Sequence, residues 1–170
     1  AGHVRIYKNI SGTWTQVGTD IDGEAAVNYS GYSVSLSSDG STVAIGAPNN
    51  DGNGSNAGHV RIYKNISGTW TQVGADIDGE AAGDYSGRSV SLSSDGITVA
   101  IGAFFNGSAS GHVRIYKNIS GTWTQVGSDI DGEAALDISG ESVSLSSDGS
   151  TVAIGAYWND GNGSNAGHVR

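Results

Sequence analysis

A single passage recurs along this chain and limits its fold more than any other feature. AGHVRIYKNISGTWTQVG begins at Ala1, returns at Ala57, and returns again at Ser110 with only its first letter changed. Its opening letters AGHVR appear once more at Ala166. A chain of near-identical units must bury the faces of each unit against its neighbours. We therefore divide the sequence into repeat units 1–56, 57–109 and 110–165, with 166–170 as the start of a further unit.

The units differ in length in one segment only. Pro48–Gly58 and Tyr157–Gly167 correspond to the shorter Phe104–Gly111 of the second unit. A segment that tolerates the loss of residues is a surface loop. One of the few other differences is a position that carries a different residue type in each unit: Tyr32, Arg88 and Glu141. Such unlike side chains predict a position outside the core.

Composition favours an all-β protein and excludes several classes. Gly accounts for 28 of the 170 residues, Pro for 1, and Cys is absent. Together with abundant Ser, Thr and Val, this favours short strands joined by tight turns, without a disulfide framework. The formal net charge of −9 argues against nucleic-acid binding, which needs a basic surface. No apolar stretch is long enough for a membrane span, so we expect no membrane insertion.

Alternating side chains predict four strands in each repeat. Read from Gly31 across the first unit boundary, they are GYSVSLS (31–37), TVAIGA (42–47), GHVRIYK (58–64) and TWTQV (69–73). The Asp39-Gly40 pair between the first two strands favours a tight hairpin. We expect small antiparallel sheets with a branched apolar face and, on the first two strands, a face of Ser, Ala and Gly that lets successive sheets pack closely. These are the blades of a β-propeller.

The same residues resemble a known repeat family. SGYSV at Ser30, VAIGAP at Val43 and GHVRIY at Gly58 are similar to the FG-GAP repeat of integrin alpha-chain propellers and of large bacterial exported proteins. Ser30 stands where the family has Phe, and the hairpin at Asp39 is shorter than the acidic calcium loop of many members. The resemblance implies an extracellular β-propeller that acts in adhesion or as a structural element.

Ring closure is not straightforward for this sequence. Propellers usually have four to eight blades, and His3–Val17 and Gly167–Arg170 both match the strand expected beside Ser142–Ala156. We therefore expect the units to belong to a longer array, or chains to join head to tail. Such a join closes into a ring if the rotation permits and otherwise forms a filament.

Oxygen-bearing side chains in two kinds of segment suggest cation binding. The DGNGS loops place potential calcium ligands at alternate positions, although Gly-rich turn chemistry also explains them. The candidate calcium ligands are Asp51, Asn53, Ser55, Asp160, Asn162 and Ser164. A second acidic segment, Asp76–Glu80, recurs in every unit, and we interpret it as a solvated turn with weak cation affinity at most. Calcium is the only cofactor that the sequence suggests.

A set of aromatic and basic side chains could form one sugar site in each blade. Trp would stack on a sugar ring while Arg and Tyr bind hydroxyl groups, but the same residues could simply pack between blades. The candidates are Arg5, Tyr7, Trp14, Arg61, Tyr63, Trp70, Arg114, Tyr116 and Trp123. A recurring His at positions 3, 59, 112 and 168 lacks a neighbouring Cys or second His and is weak evidence for a transition metal.

Asn-x-Ser sequons recur at one position in each unit. Asn9, Asn65 and Asn118 all fall in the hairpin NISG, which we expect to be exposed. If the source organism glycosylates exported proteins, these residues would carry glycans along one rim.

The sequence as a whole predicts an exported, non-enzymatic repeat protein with an adhesive or structural scaffold role. No cluster suggests a nucleophile with its base and orienting acid. The alternatives are a filament joined head to tail and a carbohydrate-binding propeller. The expected partners are copies of the chain itself and a cell-surface protein or glycan.

Overall fold

Short β-strands make up almost all of the regular secondary structure. The structure is a computed structural model that describes residues 1–170. Its only helical element, α1 (Asn106–Ala109), is a single turn in which Gly107 and Ser108 have left-handed backbone angles. The strands are β1 (His3–Val4), β2 (Tyr7–Ile10), β3 (Thr13–Gln16), β4 (Ile21–Asp22), β5 (Ser33–Leu36), β6 (Thr42–Ala47), β7 (His59–Ile66), β8 (Thr69–Gln72), β9 (Ile77–Asp78), β10 (Ser89–Leu92), β11 (Thr98–Ala103), β12 (His112–Ile119), β13 (Thr122–Gln125), β14 (Ile130–Asp131), β15 (Ser142–Leu145), β16 (Val152–Ala156) and β17 (His168–Val169).

Two complete sheets share one plan. In the first sheet, β5, β6, β7 and β8 lie side by side in that order, and β9 pairs with the start of β7. The second sheet repeats this arrangement with β10 to β13, and β14 pairs with β12. All these pairings are antiparallel. Each sheet takes its first two strands from one repeat unit and the others from the next, so the sheets straddle the unit boundaries.

Partial sheets flank the two complete ones. At the N-terminal side, β2 pairs with β3 and β1 pairs with β4. At the C-terminal side, β15, β16 and β17 form a sheet of three strands. The third position of that sheet is therefore filled by His168–Val169, and His3–Val4 pairs with Ile21–Asp22 instead.

Successive sheets pack with branched side chains against small residues. Ile45 and Ile62 are almost fully buried and lie in two neighbouring core clusters. A Cβ atom at Gly46 would collide with the carbonyl oxygen of Gly87 in the next sheet. Ser33 Oγ donates a hydrogen bond to that same oxygen at 2.8 Å. The small residues therefore bring adjacent backbones into direct contact.

The strand predictions agree closely with the structure, and the all-β fold with antiparallel sheets is confirmed. Each predicted strand begins and ends within two residues of the observed one. The segment Asp76–Glu80 differs from its interpretation as a solvated turn, because Ile77 and Asp78 pair with β7. Ile77 is only 5% exposed and lies in the core cluster. One buried side chain among acidic neighbours was too weak a pattern to predict this strand.

The position with three unlike side chains lies at the junctions between sheets. The guanidinium of Arg88 lies 4.3 Å from the ring centre of Tyr32 in the preceding sheet. The same group forms a two-pronged ion pair with Glu141 in the following sheet, with a shortest distance of 2.6 Å. Tyr32, Arg88 and Glu141 thus form a row outside the apolar core. The row crosses the junction between the β5 and β10 sheets and the junction between the β10 and β15 sheets.

Aspartate closes the β5–β6, β10–β11 and β15–β16 hairpins. Asp39 accepts hydrogen bonds from the Ser37 hydroxyl at 2.6 Å and from the amide and hydroxyl of Ser41. These bonds lower the pKa of Asp39 from its ordinary value of 3.8 to about 2. The pKa of Asp148 is lowered to about 2 in the same way, chiefly by the Ser146 hydroxyl. The Ser93 hydroxyl is the main cause of the lowered pKa of Asp95.

These hairpins should lose their stabilising effect in acid. Because the three pKa values are lower in the folded chain, the hairpins contribute stability above about pH 4 and lose it as the pH falls towards about 2. We expect the melting temperature to fall between pH 5 and pH 2.5, followed by circular dichroism. The triple variant Asp39→Asn, Asp95→Asn, Asp148→Asn should lose less over the same interval. An equal loss in both proteins would contradict this assignment.

Candidate functional site

Each junction between sheets is fastened by an arginine from the third strand. Arg61 Nη2 donates to the carbonyl oxygen of Asp22 at 2.9 Å. Arg114 Nη2 donates to the carbonyl oxygen of Asp78 at 2.8 Å. Both arginines are buried, at 6% and 5% exposed. Their guanidinium groups therefore hold the preceding sheet instead of facing solvent.

Tryptophan makes a second connection across each junction. Trp70 Nε1 donates to the carbonyl oxygen of Val17 at 2.7 Å, and Trp123 Nε1 donates to Val73 in the same way. Trp70 is buried, whereas Trp14 is 67% exposed. The fourth strand of a sheet thus contacts the preceding sheet wherever a preceding sheet is present.

The sugar-binding candidates lie in three environments. Arg5, Tyr7 and Trp14 are exposed at the N-terminal partial sheet, and Tyr63 and Trp123 are half-buried. Arg61, Trp70, Arg114 and Tyr116 are buried in the junctions. A cavity of about 320 Å³ beside Trp123 is lined by Tyr116 and by the segment 75–78. Sugar binding stays a prediction.

A histidine and two carboxylates converge at the first junction. His59, at the start of β7, is 2% exposed. Its Nδ1 lies 3.5 Å from Asp76 Oδ2 in the same sheet and 3.9 Å from Glu24 Oε2 in the preceding sheet. The three atoms all lie within 4.8 Å of one another.

The second junction repeats this arrangement almost unchanged. His112 is 1% exposed, and its Nδ1 lies 3.6 Å from Asp129 Oδ2 and 3.9 Å from Glu80 Oε2. Neither ring nitrogen of His112 has a hydrogen-bond partner. Burial lowers the pKa values of His112 and His59, which favours the neutral imidazole. Each neutral ring has one nitrogen that can donate a hydrogen bond and one that can bind a cation.

Neighbouring side chains orient both carboxylates. Gln72 Nε2 donates to Asp76 Oδ1 at 2.6 Å, which leaves Oδ2 directed at His59. Arg61 lies 3.6 Å from Glu24 Oε1, which leaves Oε2 for the cluster. Gln125 and Arg114 hold Asp129 and Glu80 in the same manner at the second junction.

The partial sheets carry incomplete versions of the cluster. His3 Nε2 lies 4.0 Å from Asp20 at the N-terminal side. His168 Nδ1 lies 3.6 Å from Glu133 at the C-terminal side. The His3 pair lacks the glutamate of a preceding blade, whereas the His168 pair spans the last junction and lacks the aspartate of a following repeat.

The calcium candidates serve mainly as turn-forming residues. Asp51 Oδ1 accepts a hydrogen bond from the backbone of Asn56 at 2.7 Å, and Asp160 accepts the matching bond from Asn165. Asn53 donates to the carbonyl oxygen of Gly79 at 2.8 Å. Ser55, Asn162 and Ser164 are exposed. The residues that converge as a ligand set therefore lie elsewhere, and calcium binding by these loops stays a prediction.

The asparagines of the sequon hairpins are less accessible than expected. The Oδ1 atoms of Asn9, Asn65 and Asn118 accept the backbone N–H of Gly12, Gly68 and Gly121 at 2.8 to 2.9 Å. The Nδ2 atoms of Asn65 and Asn118, which would carry a glycan, are buried without a partner. The folded hairpin thus leaves little access to two of the three acceptor nitrogens.

Sequence reasoning did not find the His/Asp/Glu clusters. Their members lie in two repeat units and were assigned to different segments, a strand and an acidic turn. The available signal was periodic, because every unit supplies a His, an Asp and a Glu at fixed offsets. Only the pairing of β9 with β7 brings the aspartate beside the histidine.

A sequence comparison identifies the repeat type. The profile described as FG-GAP repeat matches residues 14–63 and 123–169, which is more than half of the chain. No curated protein sequence matches the chain significantly.

Structural comparison finds similar folds at low sequence identity. A Bacteroides uniformis protein named as a candidate 6-phosphogluconolactonase has a TM-score of 0.59 at 17% identity, with 99% of this chain and 51% of that chain covered. Pseudomonas aeruginosa periplasmic gluconolactonase has a TM-score of 0.57 at 17% identity, with 92% and 44% covered. TolB from Acinetobacter baumannii has a TM-score of 0.52 at 18% identity, with 98% and 37% covered.

These likenesses establish the fold alone. The matched proteins are of the β-propeller type, so the sheets described above are blades. The chain spans about half of the length of these proteins or less. None of its helices is long and apolar enough to cross a membrane.

Proposed function

The chain belongs to the FG-GAP repeat family, and from this premise we propose that it is an exported, non-enzymatic repeat scaffold with an adhesive or structural role. Its units build a surface by docking one blade on the next, and the partial blades dock on a second copy of the chain. The observation that carries this proposal is the complementarity of the two end faces. FG-GAP repeats are typical of exported proteins, which supports the location.

The C-terminal face offers groups that are already paired at the internal junctions. Ser89 Oγ donates to the carbonyl oxygen of Gly140, and the amide of Leu145 donates to Ser91 Oγ at 2.9 Å. The equivalent residues on the last blade, Ser142 and Ser144, are exposed. They present the hydrogen-bonding pattern of a junction to whatever covers this face.

The N-terminal face offers the matching partners. Val34 and Leu36 on β5 are 53% and 48% exposed, whereas the equivalent Val90 and Leu92 are buried at 9% and 7%. A branched apolar face and a face of small polar residues meet at both internal junctions. Docking of β5 on β15 of another copy would repeat that contact and bury the exposed side chains.

The repeated letters AGHVR allow the copies to exchange a strand. Gly167–Arg170 pairs with β16 through the same residues that Gly2–Arg5 of a second copy would provide. If Gly2–Arg5 of the second copy replaces Gly167–Arg170, the pairing with β16 is kept. The β2 and β3 strands of the second copy then extend the C-terminal blade of the first copy. A heterologous join of this kind gives either a closed ring or a filament.

A single substitution separates assembly from folding. A Cβ atom at Gly155 closely approaches only the Ser142 hydroxyl within the chain. In an assembled junction it would collide with a backbone carbonyl, as it would at Gly46 and Gly102. We expect the native chain to form oligomers or filaments and Gly155→Val to stay at the monomer mass of 17.2 kDa, measured by analytical ultracentrifugation and electron microscopy.

The control places the same side chain away from the junction. Ser164→Val alters an exposed loop residue and should assemble like the native chain. A native chain that stays monomeric at high concentration would overturn the docking proposal. Assembly of Gly155→Val to the same extent as the native chain would overturn it as well.

A further inference from the structure

We infer that the two His/Asp/Glu clusters, Glu24–His59–Asp76 and Glu80–His112–Asp129, are binding sites for a divalent first-row transition ion. Each ion would bridge two adjacent blades, since the glutamate belongs to the preceding blade and the other two ligands to the following one. This inference is independent of the proposed scaffold role, because both sites lie within one chain.

The spacing of the three ligand atoms fits such an ion. Bonds of about 2.0–2.1 Å in tetrahedral geometry place ligand atoms about 3.3 Å apart. The distances from histidine Nδ1 to the two carboxylate oxygens are 3.5 and 3.9 Å at one junction and 3.6 and 3.9 Å at the other. The two carboxylate oxygens lie within 4.8 Å of each other, and the exposed side chains of the glutamates can move to close the remaining gap.

The buried histidine is the independent sign that a ligand belongs there. His112 is 1% exposed, and no donor or acceptor pairs with its ring nitrogens. A buried polar group without a partner costs free energy, and an ion at Nδ1 would remove that cost for this nitrogen. His59 lies in the same position at the other junction and is equally enclosed.

Charge at the cluster also favours a cation. Two carboxylates and the guanidinium of Arg114 leave one net negative charge around the neutral imidazole. Arg114 neutralises Glu80 only through Oε1, at 3.6 Å, and directs its other nitrogen to the carbonyl of Asp78. The cluster oxygens therefore remain available on the side that faces His112.

The ligand types select the class of ion. Imidazole nitrogen suits zinc, cobalt, nickel and copper, whereas calcium and magnesium require six or more oxygen ligands or several waters. One nitrogen and two carboxylate oxygens leave a fourth tetrahedral position for water. Gln125 and Arg114 act as orienting residues behind the carboxylates, and such supports typically change affinity by about 10- to 100-fold.

The two clusters are not expected to bind equally. Asn50 Nδ2 donates to Glu24 Oε2 at 3.4 Å, so an amide competes for one ligand atom at the first junction. The shorter loop of the second unit places no such amide on Glu80. We therefore expect the Glu80–His112–Asp129 site to be the tighter of the two.

Calorimetric titration of tag-free protein with Zn²⁺ tests the assignment. At concentrations where the chain is monomeric, we expect two ions per native chain, one in His112→Gln, and none in the double variant His59→Gln, His112→Gln. Co²⁺ should give the visible absorption of a tetrahedral complex in the native chain and lose it in the double variant. Ca²⁺ at the same concentration should produce no heat at these sites.

Two further variants keep the test interpretable. Asp51→Asn combined with Asp160→Asn removes two carboxylates from the exposed loops and should leave both zinc ions bound. Glu80→Gln changes an exposed carboxylate, so the fold should survive, and zinc affinity at the second site should fall at least tenfold. Unchanged stoichiometry in the double histidine variant, or no zinc binding by the native chain, would overturn the inference.

Discussion

Replacing Trp70 with alanine is expected to lower the free energy of unfolding by about 3–5 kcal/mol. The indole is buried in the junction with the N-terminal strands and packs in a core cluster with Val4, Ile6 and Ile45. Its loss leaves a cavity and also leaves the carbonyl oxygen of Val17 without its donor. Urea denaturation followed by far-ultraviolet circular dichroism measures the change.

The repeat supplies a matched control for this substitution. Trp14 stands in the same letters TWTQV but is 67% exposed at the N-terminal partial blade. At concentrations where the chain is monomeric, Trp14→Ala should change the free energy of unfolding by about 0.5 kcal/mol or less. Similar losses for the two variants would mean that blade junctions do not determine the role of this residue.

Gly102→Ala should lower the free energy of unfolding by about 1–3 kcal/mol because the added methyl group has no space. Its Cβ atom would collide with the carbonyl oxygen of Gly140 in the next blade. That oxygen belongs to the backbone and also accepts a hydrogen bond from Ser89, so relief requires the two blades to separate. Thermal and urea denaturation should both report the loss.

Gly155→Ala is the control for this overlap. Gly155 occupies the same strand position in the last blade, where a Cβ atom meets only the movable Ser142 hydroxyl at close range. We expect a change of about 0.5 kcal/mol or less in the monomer. Because both glycines lie in equivalent strands, backbone propensity cancels in the comparison. A Gly102 variant as stable as the Gly155 variant would show that blade contact tolerates a wider spacing.

Much of the fold could be predicted from local pattern. Alternation in Thr42–Ala47 and His59–Ile66 marks strands because one face is branched and apolar. The short strand at Ile77 escaped prediction because two residues are too few to establish alternation. Both His3–Val4 and His168–Val169 could pair with β16. Because the two segments have the same sequence, the choice between them could not be predicted.

The candidate metal site was beyond local sequence reasoning for a physical reason. Its glutamate and its histidine belong to different blades, and their distance depends on how closely the blades pack. At the junction that holds Glu80, His112 and Asp129, Gly46 allows this close packing, and its role appears only when adjacent backbones are placed side by side. The arginines posed a similar difficulty, because alternation put Arg61 on a polar face and the junction then buried it.

Near-identical repeats can exchange equivalent strands while the chain folds, and such misassembly is a known hazard of repeat proteins. Tyr32, Arg88 and Glu141 distinguish two of the junctions. The junction between the β5 and β10 sheets requires an aromatic ring against a guanidinium, and the junction between the β10 and β15 sheets requires a guanidinium against a carboxylate. Any exchange that skipped the middle unit would set Glu141 against Tyr32 and lose both interactions. We therefore expect this variable position to favour the correct succession of the blades.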